Sequence, residues 1–461
     1  MLRQEQAHDI FQRLRKHSSC DEVELMIGGG AFALTRFANN GITQNVAEEN
    51  YSLSVRVNMG GRTARATTNK TDNESLKRVA SQAEALARVQ QPDPDLLPMP
   101  TPTEVGPASG TSPNRYCEAT AAITADDRAA QVERMVASAK KHGLSAAGTY
   151  ASGQQVEGLF NSRGVVQWHQ QTSAEASITM IAGNSSGWQK ANSPKAADFD
   201  AVRLAEIAVE KARLSANPKE IPAGKYTVIL EPAAVLDLVG FMFWDFSGLA
   251  LLDQRSFLSN RMGTQLFGEE INISDEVDHP AQSGLPFDGE GMRRRKVSLV
   301  EKGVPKRVVY SRASAKLMTN SELAPRAGRV EVTGHGFPIP NEMGEAPMNI
   351  VFAPPKHPKT IAEMINTAER AILVTRLWYI REVEPYEKIL TGMTRDGTFL
   401  VENGKVQYGI RNFRFNQGLI HLLSNVEAMS TPVRASGEES FDMVVPAMQV
   451  RDFNFTEVTR F

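Results

Sequence analysis

Residues 22–68 alternate apolar and polar side chains almost without a break. The runs "EVELMIGG", "AFALTRFA", "GITQNVAEE", "YSLSVRVN" and "RTARATT" follow one another, separated by Gly and Asn. A period of two puts successive side chains on opposite faces of a sheet. "NNG" and "MGG" are turn sequences, because Asn and Gly tolerate positive φ. The stretch therefore predicts an antiparallel sheet with one covered face. Helical patterns flank it: "EQAHDIFQRLRKH" (5–17) sets Ile10, Phe11 and Leu14 on one face, and "TDNESLKRVASQAEALARV" has an Asp or Asn N-cap.

A proline-rich stretch without periodicity, 91–113, predicts a long exposed connection. The pattern then starts again. "DDRAAQVERMVASAKKHG" is a helix ending on Gly, strands are expected near 144–152, 155–161 and 165–181, and 199–215 is helical. Two helix-plus-sheet blocks of this kind are compatible with a structural duplication, although no sequence repeat is visible. "ANPKEIPAGKYTVIL" marks a seam. Beyond it helices are few (233–247, 309–318, 360–372). Strands are expected at 226–230, 296–302, 328–333, 348–352, 373–380, 398–402, 405–410 and 443–449. Segregated helices and strands predict an α+β fold of two domains. These are an N-terminal helix-plus-antiparallel-sheet domain, 1–220, and a β-rich C-terminal domain, 221–461. A length of 461 residues fits two cores better than one.

Composition narrows function chiefly by exclusion. A net charge of −2 provides no field for nucleic acid or an anionic membrane. No window is apolar enough to span a bilayer, and the N-terminus has no signal-like apolar core. Two cysteines, Cys20 and Cys117, form neither a disulfide framework nor a Cys-rich zinc site. This usage fits a cytoplasmic location. The eight histidines are His8, His17, His142, His169, His279, His335, His357 and His421, and no two stand three or four apart. No helical zinc-binding pair is therefore available. No GxSxG, P-loop or dinucleotide fingerprint is present. "RRRK" (293–296) reads as a solvated sheet face rather than a phosphate site.

The most unusual stretch is 226–263, "YTVILEPAAVLDLVGFMFWDFSGLALLDQRSFLSNRMG". After "EP" it predicts a helix that is apolar all round, which demands burial on more than one side, in a core or against another subunit. Asp237, Asp245 and Asp253 interrupt it at intervals of eight. Neighbours are then offset by about 80°, so they share no face.

Three segments resemble the TldD/PmbA family, once called modulators of DNA gyrase. They are "RFANNGITQNVAEENYSLSVRVNMGGRTARATTN", "PFDGEGMRRRKVSLVEKGVPKRVVYSRASA" with its D-x-E-G turn, and "ERAILVTRLWYIREVEPYEKILTGMTRDGTFLVENGK" with the sequence that follows it. They occur in the family order over nearly the whole chain. The resemblance implies a heterodimer of a zinc peptidase, TldD, and a TldE/PmbA subunit, acting on unfolded or extended peptides. The peptidase carries HExxxH and a Cys near the C-terminus, and holds substrate as an added strand. Aligned on "RSFLSNRMG", the zinc helix falls on Gly240, Phe241, Met242, Phe243, Trp244 and Asp245, none of which is His or Glu. The Cys-bearing loop falls on "STPVRASGEESFDMVVPAMQV", which has no Cys.

The resemblance thus implies a TldE-type subunit with no catalytic or metal-binding residue and no peptidase activity of its own. The zinc would be in a TldD-like partner, and this chain would supply chamber wall and dimer interface. A stand-alone peptide-binding or gyrase-modulating homodimer is the alternative. A peptidase with a non-standard site would draw on Asp237, Asp245, His335 and Glu345. For peptide contact the strand "VEVTGHGFPIPN" is the candidate, with Thr333, Gly334, His335 and Gly336 where a backbone can approach closely.

Overall fold

The computed structural model describes residues 1–106 and 113–459. Residues 107–112 of the proline-rich connection lie outside the described residues. The five alternating runs merge into three strands: β1 (Glu22–Ala38), β2 (Gly41–Met59) and β3 (Arg62–Thr68). "NNG" and "MGG" are the turns between them. The "GGG" at 28–30 is not a breaker. Gly29 and Gly30 lie inside β1, where a Cβ would overlap the Asn50 and Gln154 carbonyls of the strands on either side.

The first half is built twice. Helix α1 (Gln4–Arg15), β1–β3 and helix α2 (Asn73–Val89) form one unit. Two short helices follow, α3 (Pro102–Val105) and α4 (Glu118–Ala121). Then α5 (Ala125–Lys141), β4 (Ser145–Asn161), β5 (Val166–Ala182), β6 (Ser185–Ser193) and α6 (Ala201–Leu214) repeat the pattern. The sheet order β3-β2-β1-β4-β5-β6 sets two three-strand meanders back to back, with β1 antiparallel to β4. Each meander has its own helix-covered core, around Leu25, Val55 and Leu76 in one and Ile178, Val132 and Ala208 in the other. One continuous strand, β4, replaces the separate strands expected at 144–152 and 155–161. The connection after α2 is less exposed than its prolines predict. Met99 is fully buried, its amide donates to Glu22, and Asn161 donates to the Pro100 carbonyl.

From residue 224 the chain is β-rich. β7 (Gly224–Leu230) leads into helix α7 (Pro232–Val239), where Pro232 occupies a first-turn position that needs no amide donor. The expected helix 233–247 stops at Val239 and continues as a 3₁₀ turn, Gly240–Asp245, before the short α8 (Gly248–Leu252). β8 (Ile273–Asp275), β9 (Val297–Glu301), β10 (Val304–Pro305) and β11 (Ile350–Phe352) are four members of a six-stranded sheet, whose other two strands come from residues 433–435 and 443–445. Helix α9 (Arg312–Thr319) lies between β10 and β11 in sequence. Helix α10 (Ile361–Thr367) ends five residues earlier than expected, because β12 (Arg370–Glu384) takes over the chain.

β13 (Ile389–Glu402), β14 (Lys405–Gly409), β15 (Phe413–Gly418), helix α11 (Leu419–Ser424), β16 (Val426–Met429), β17 (Val433–Ala435), β18 (Met443–Val445) and β19 (Met448–Val458) complete it. Strands run β12-β7-β19-β15-β13, and β12 also pairs with β13, so this path closes on itself. One large core fills the region, with Phe413 stacked on Phe455 at 4.7 Å. The strand expected at 328–333 does not form. "RRRK" is not in a strand either: it precedes Val297, and Arg294 is turned inward to Asp275 at 3.3 Å. No helix among the described residues is long and apolar enough to cross a membrane.

Candidate functional site

Helix α7 packs on β12 and against β17 and β18. Leu236, Leu238 and Val239 are fully buried, as are Met242 and Phe243 in the following turn. This stretch therefore faces its own core. The exception is Trp244, 43% exposed and stacked on Phe337 with 6.0 Å between ring centres.

The β17–β18 loop lies flat on this helix. Gly437 and Gly240 have no room for a side chain: a Cβ on the first would overlap Asp237 Oδ1, and on the second Ser440 Oγ. Asp237 is fully buried, and its Oδ1 accepts the amides of Glu438 (3.2 Å) and Glu439 (3.0 Å). Its Oδ2 has no hydrogen-bond partner among the described residues. Burial pushes this carboxyl up to about 7, against the pull of the two amides. The two places to which the resemblance assigns zinc ligands, 240–245 and the C-terminal loop, thus meet in space.

Strand β6 clamps the same loop from the N-terminal sheet. Asn192 donates to Asp442 (2.7 Å) and Ser436 (3.2 Å), and Lys190 reaches the Gly437 carbonyl (3.3 Å), Glu438 (3.7 Å) and Glu175 (3.4 Å). Arg434 donates to Asn192, Ala281, Ser283 and Asp442 at 2.7–3.0 Å. Burial pulls its guanidinium below the usual range, with Asp442 opposing. A cleft of about 390 Å³ opens beside this clamp, between Phe32, Gln155 and Glu175 on the sheet and Arg434 of β17 and Asp442 of the loop. None of these contacts was legible in the sequence, since each joins residues 150 or more positions apart or lacks a local motif.

The other suspected residues do not converge here. Asp245 is bound to Lys388 Nζ at 2.5 Å and accepts the Phe257 amide at 3.1 Å. Burial pushes its carboxyl up, and Lys388 pulls it back. Glu345 accepts from Ser247 Oγ (2.7 Å), the Leu249 amide (2.9 Å), the Ser311 amide (3.2 Å) and Ser314 Oγ (2.7 Å). One carboxylate thereby joins the N-terminal ends of α8 and α9. Asp253 is exposed beside Arg255.

The expected peptide strand is an irregular segment, buried only at 333–336, with one isolated bridge, Gly336 to Glu345. Thr333 and His335 are buried, and His335 Nε2 lies 2.9 Å from Asp275 Oδ1. Burial holds this imidazole below its usual range, against the raising effect of Asp275. Gly334 does meet a backbone closely, but it is the chain's own Arg293 carbonyl. Gly336 abuts Glu290 and donates its amide to Asp288 at 2.8 Å. Burial, reinforced by Glu290, pushes Asp288 up to about 8. The D-x-E-G turn is thus a junction rather than a reactive centre: Arg312 lies between Glu290 and Glu104, and Gln167 of the N-terminal sheet donates to the Gly291 carbonyl.

Tested against a zinc ion, the helix and loop do not fit. They offer no imidazole or thiolate, and Asp237, the one carboxylate turned inward between them, has one oxygen already held by two amides. Among the described residues, no three His, Cys, Asp or Glu side chains are grouped so as to hold a metal ion.

The family assignment comes from comparison. Residues 223–457 match the model of the PmbA/TldA metallopeptidase C-terminal domain, 23–87 match domain 1, and 116–216 match the central domain. The chain belongs to the PmbA/TldD family. The domain 1 and central-domain matches fall on the two halves of the duplicated sheet. A metalloprotease PmbA homolog of Haemophilus influenzae is 22% identical over 437 residues, covering 89% of this chain and 90% of its own. Metalloprotease PmbA of Escherichia coli O157:H7 is 20% identical over 87% of this chain and 85% of its own. The fold is also that of TldE from Thermococcus kodakarensis (TM-score 0.84, 19% identity, 98% of this chain and 100% of that one). A candidate modulator of a DNA gyrase from Thermotoga maritima shares it too (TM-score 0.83, 19% identity, the same coverage).

Proposed function

We propose that this chain is a TldE/PmbA-type subunit without catalytic residues. It would pair with a TldD-like zinc peptidase acting on unfolded or extended peptides. The observation that carries this reading is the seal between α7 and the β17–β18 loop. Where a peptidase of the family needs His, Glu and Cys, this chain has Asp237 tied to two amides, and glycines packed against Asp237 and Ser440. Zinc then belongs to the partner. This subunit contributes wall and interface, and Trp244 is the one strongly exposed residue of the helix region available for such a contact.

A peptidase with a non-standard site has less support. Asp245, His335 and Glu345 each make close contacts elsewhere, to Lys388, Asp275 and the two helix ends. The test is to mix the purified chain with the TldD-like chain of the same organism, then measure mass and hydrolysis of an unfolded peptide. A one-to-one complex that cleaves, with neither chain cleaving alone, is the expected result. A homodimer that ignores the TldD-like chain yet retains peptide would favour the stand-alone alternative and overturn this reading.

A further inference from the structure

The duplicated sheet is not symmetric in what covers its edges. Only the second half of β2, Leu53–Met59, pairs with β3, and only the second half of β5, Ala174–Ala182, pairs with β6. The first half of each strand has one neighbour, β1 or β4. On β5 this edge is met at one point by the segment before α4: the Thr172 amide donates to the Arg115 carbonyl at 3.0 Å, and the Cys117 amide to Thr172 Oγ1 at 3.1 Å. On β2 the matching edge, Gly41–Ser52, is met by no backbone among the described residues. It is about 40 Å long at ~3.3 Å per residue.

Bare edges of this length are normally guarded by charged side chains, Lys above all, by Pro or by a bulge, and here the only charges are Glu48 and Glu49. "GITQNVAEENYS" contains no Lys, Arg or Pro, and the irregularity in its pairing lies at Arg36/Phe37, near the tip. The side chains around the edge define what would fit. Glu49 pairs across to Ala31 and Ala47 to Ala33, so all four share the face toward the helices. There they line a hollow of about 360 Å³ together with Ile123 and Gln154. Glu48 pairs across to Phe32 on the opposite face, and Phe32 is 42% exposed. Two adjacent carboxylates therefore flank the edge, one per face, each beside an apolar surface; Glu49 also accepts the Tyr51 hydroxyl at 2.9 Å and lies 3.9 Å from the N-terminal ammonium, which an incoming cation would join or displace.

We propose that the free edge of β2 is a peptide-docking site. It takes an extended segment as an added strand, and that segment carries two consecutive basic residues among apolar ones. Adjacent side chains of an added strand point to opposite faces, so a Lys-Lys pair meets Glu48 on one face and Glu49 on the other, its stems lying over Phe32 and Ala47. The chain's own Asn114–Cys117 segment is the internal precedent for such a contact. The site is on a different sheet from α7 and its loop, with Phe32 also lining the cleft beside that loop, and the proposal holds whether or not the chain pairs with a peptidase.

The test is fluorescence anisotropy with a labelled peptide, Thr-Val-Thr-Val-Lys-Lys-Val-Thr-Val-Thr, at low salt. Saturable binding is expected. N-methylation of alternate backbone amides should abolish binding in one of the two possible series and spare it in the other, since only one edge of the peptide pairs. The Glu48→Lys/Glu49→Lys variant should weaken the Lys-Lys peptide at least tenfold and bind a Glu-Glu counterpart more tightly than the parent does. No binding, equal binding of both methylated series, or a disulfide between two Val46→Cys copies that forms in place of peptide binding would each overturn the proposal.

Discussion

Asp237 gives the sharpest physical test of the helix–loop seal. Its carboxyl ordinarily titrates near 3.8 and is pushed up to about 7 by burial. The folded state therefore prefers the protonated form. The cost of ionisation is absent below the unfolded value, grows as pH rises, and levels off above the folded value. With a shift of about three units at ~1.4 kcal/mol each, the full cost is ~4 kcal/mol, of which ~2–3 kcal/mol accrues between pH 5 and pH 8.

Asp237→Asn keeps an oxygen for the Glu438 and Glu439 amides and cannot ionise. It leaves a buried NH₂ where Oδ2 had no partner, a penalty of ~1–3 kcal/mol that does not vary with pH. Urea unfolding of parent and variant at both pH values isolates the titration, because other ionisable groups cancel in the difference. The variant should gain ~2–3 kcal/mol on the parent in going from pH 5 to pH 8. A difference that does not change with pH, or changes in the opposite sense, would refute the reasoning that the seal makes Asp237 a weaker acid than it is in the unfolded chain.

Three further outcomes are expected. Gly240→Ala should cost ~1–3 kcal/mol through overlap with Ser440, and adding Ser440→Gly should restore most of it; urea unfolding of the double-mutant cycle measures this, and strict additivity would contradict the contact. Glu345→Ala should cost ~3 kcal/mol or more, because four donors at the starts of α8 and α9 lose their acceptor together; thermal unfolding checks it. Trp244→Ala should cost only ~1 kcal/mol in the isolated chain, since the ring is half-exposed and stacked on Phe337, whereas pairing with a TldD-like chain should weaken tenfold or more in a titration.

The sequence was informative where local patterning and structure coincide. Period-two alternation located β1 to β3, and the Asp72 cap located the start of α2, where it accepts the Ser75 amide. It failed where tertiary contact overrode pattern. "GFMFWD" continues a helical apolar stripe, yet the chain tightens to a 3₁₀ turn at Gly240, where the loop packs too closely for any side chain. "VEVTGH" alternates like a strand, but Thr333 makes only isolated backbone bonds, to Tyr310 and Arg295, that do not extend into a ladder, and His335 is turned to Asp275. Arg294 reads as a solvated charge and is an inward partner of a buried Asp. Burial and distant partners have no local signature, and these set the character of the site.

The central claim, that this chain is the non-catalytic member of a zinc peptidase pair, is tested most directly by its metal content. The purified chain, loaded with excess zinc and dialysed, is to be examined by elemental analysis. The account predicts no stoichiometric zinc. One tightly held zinc per chain, lost on Asp237→Asn, would contradict it.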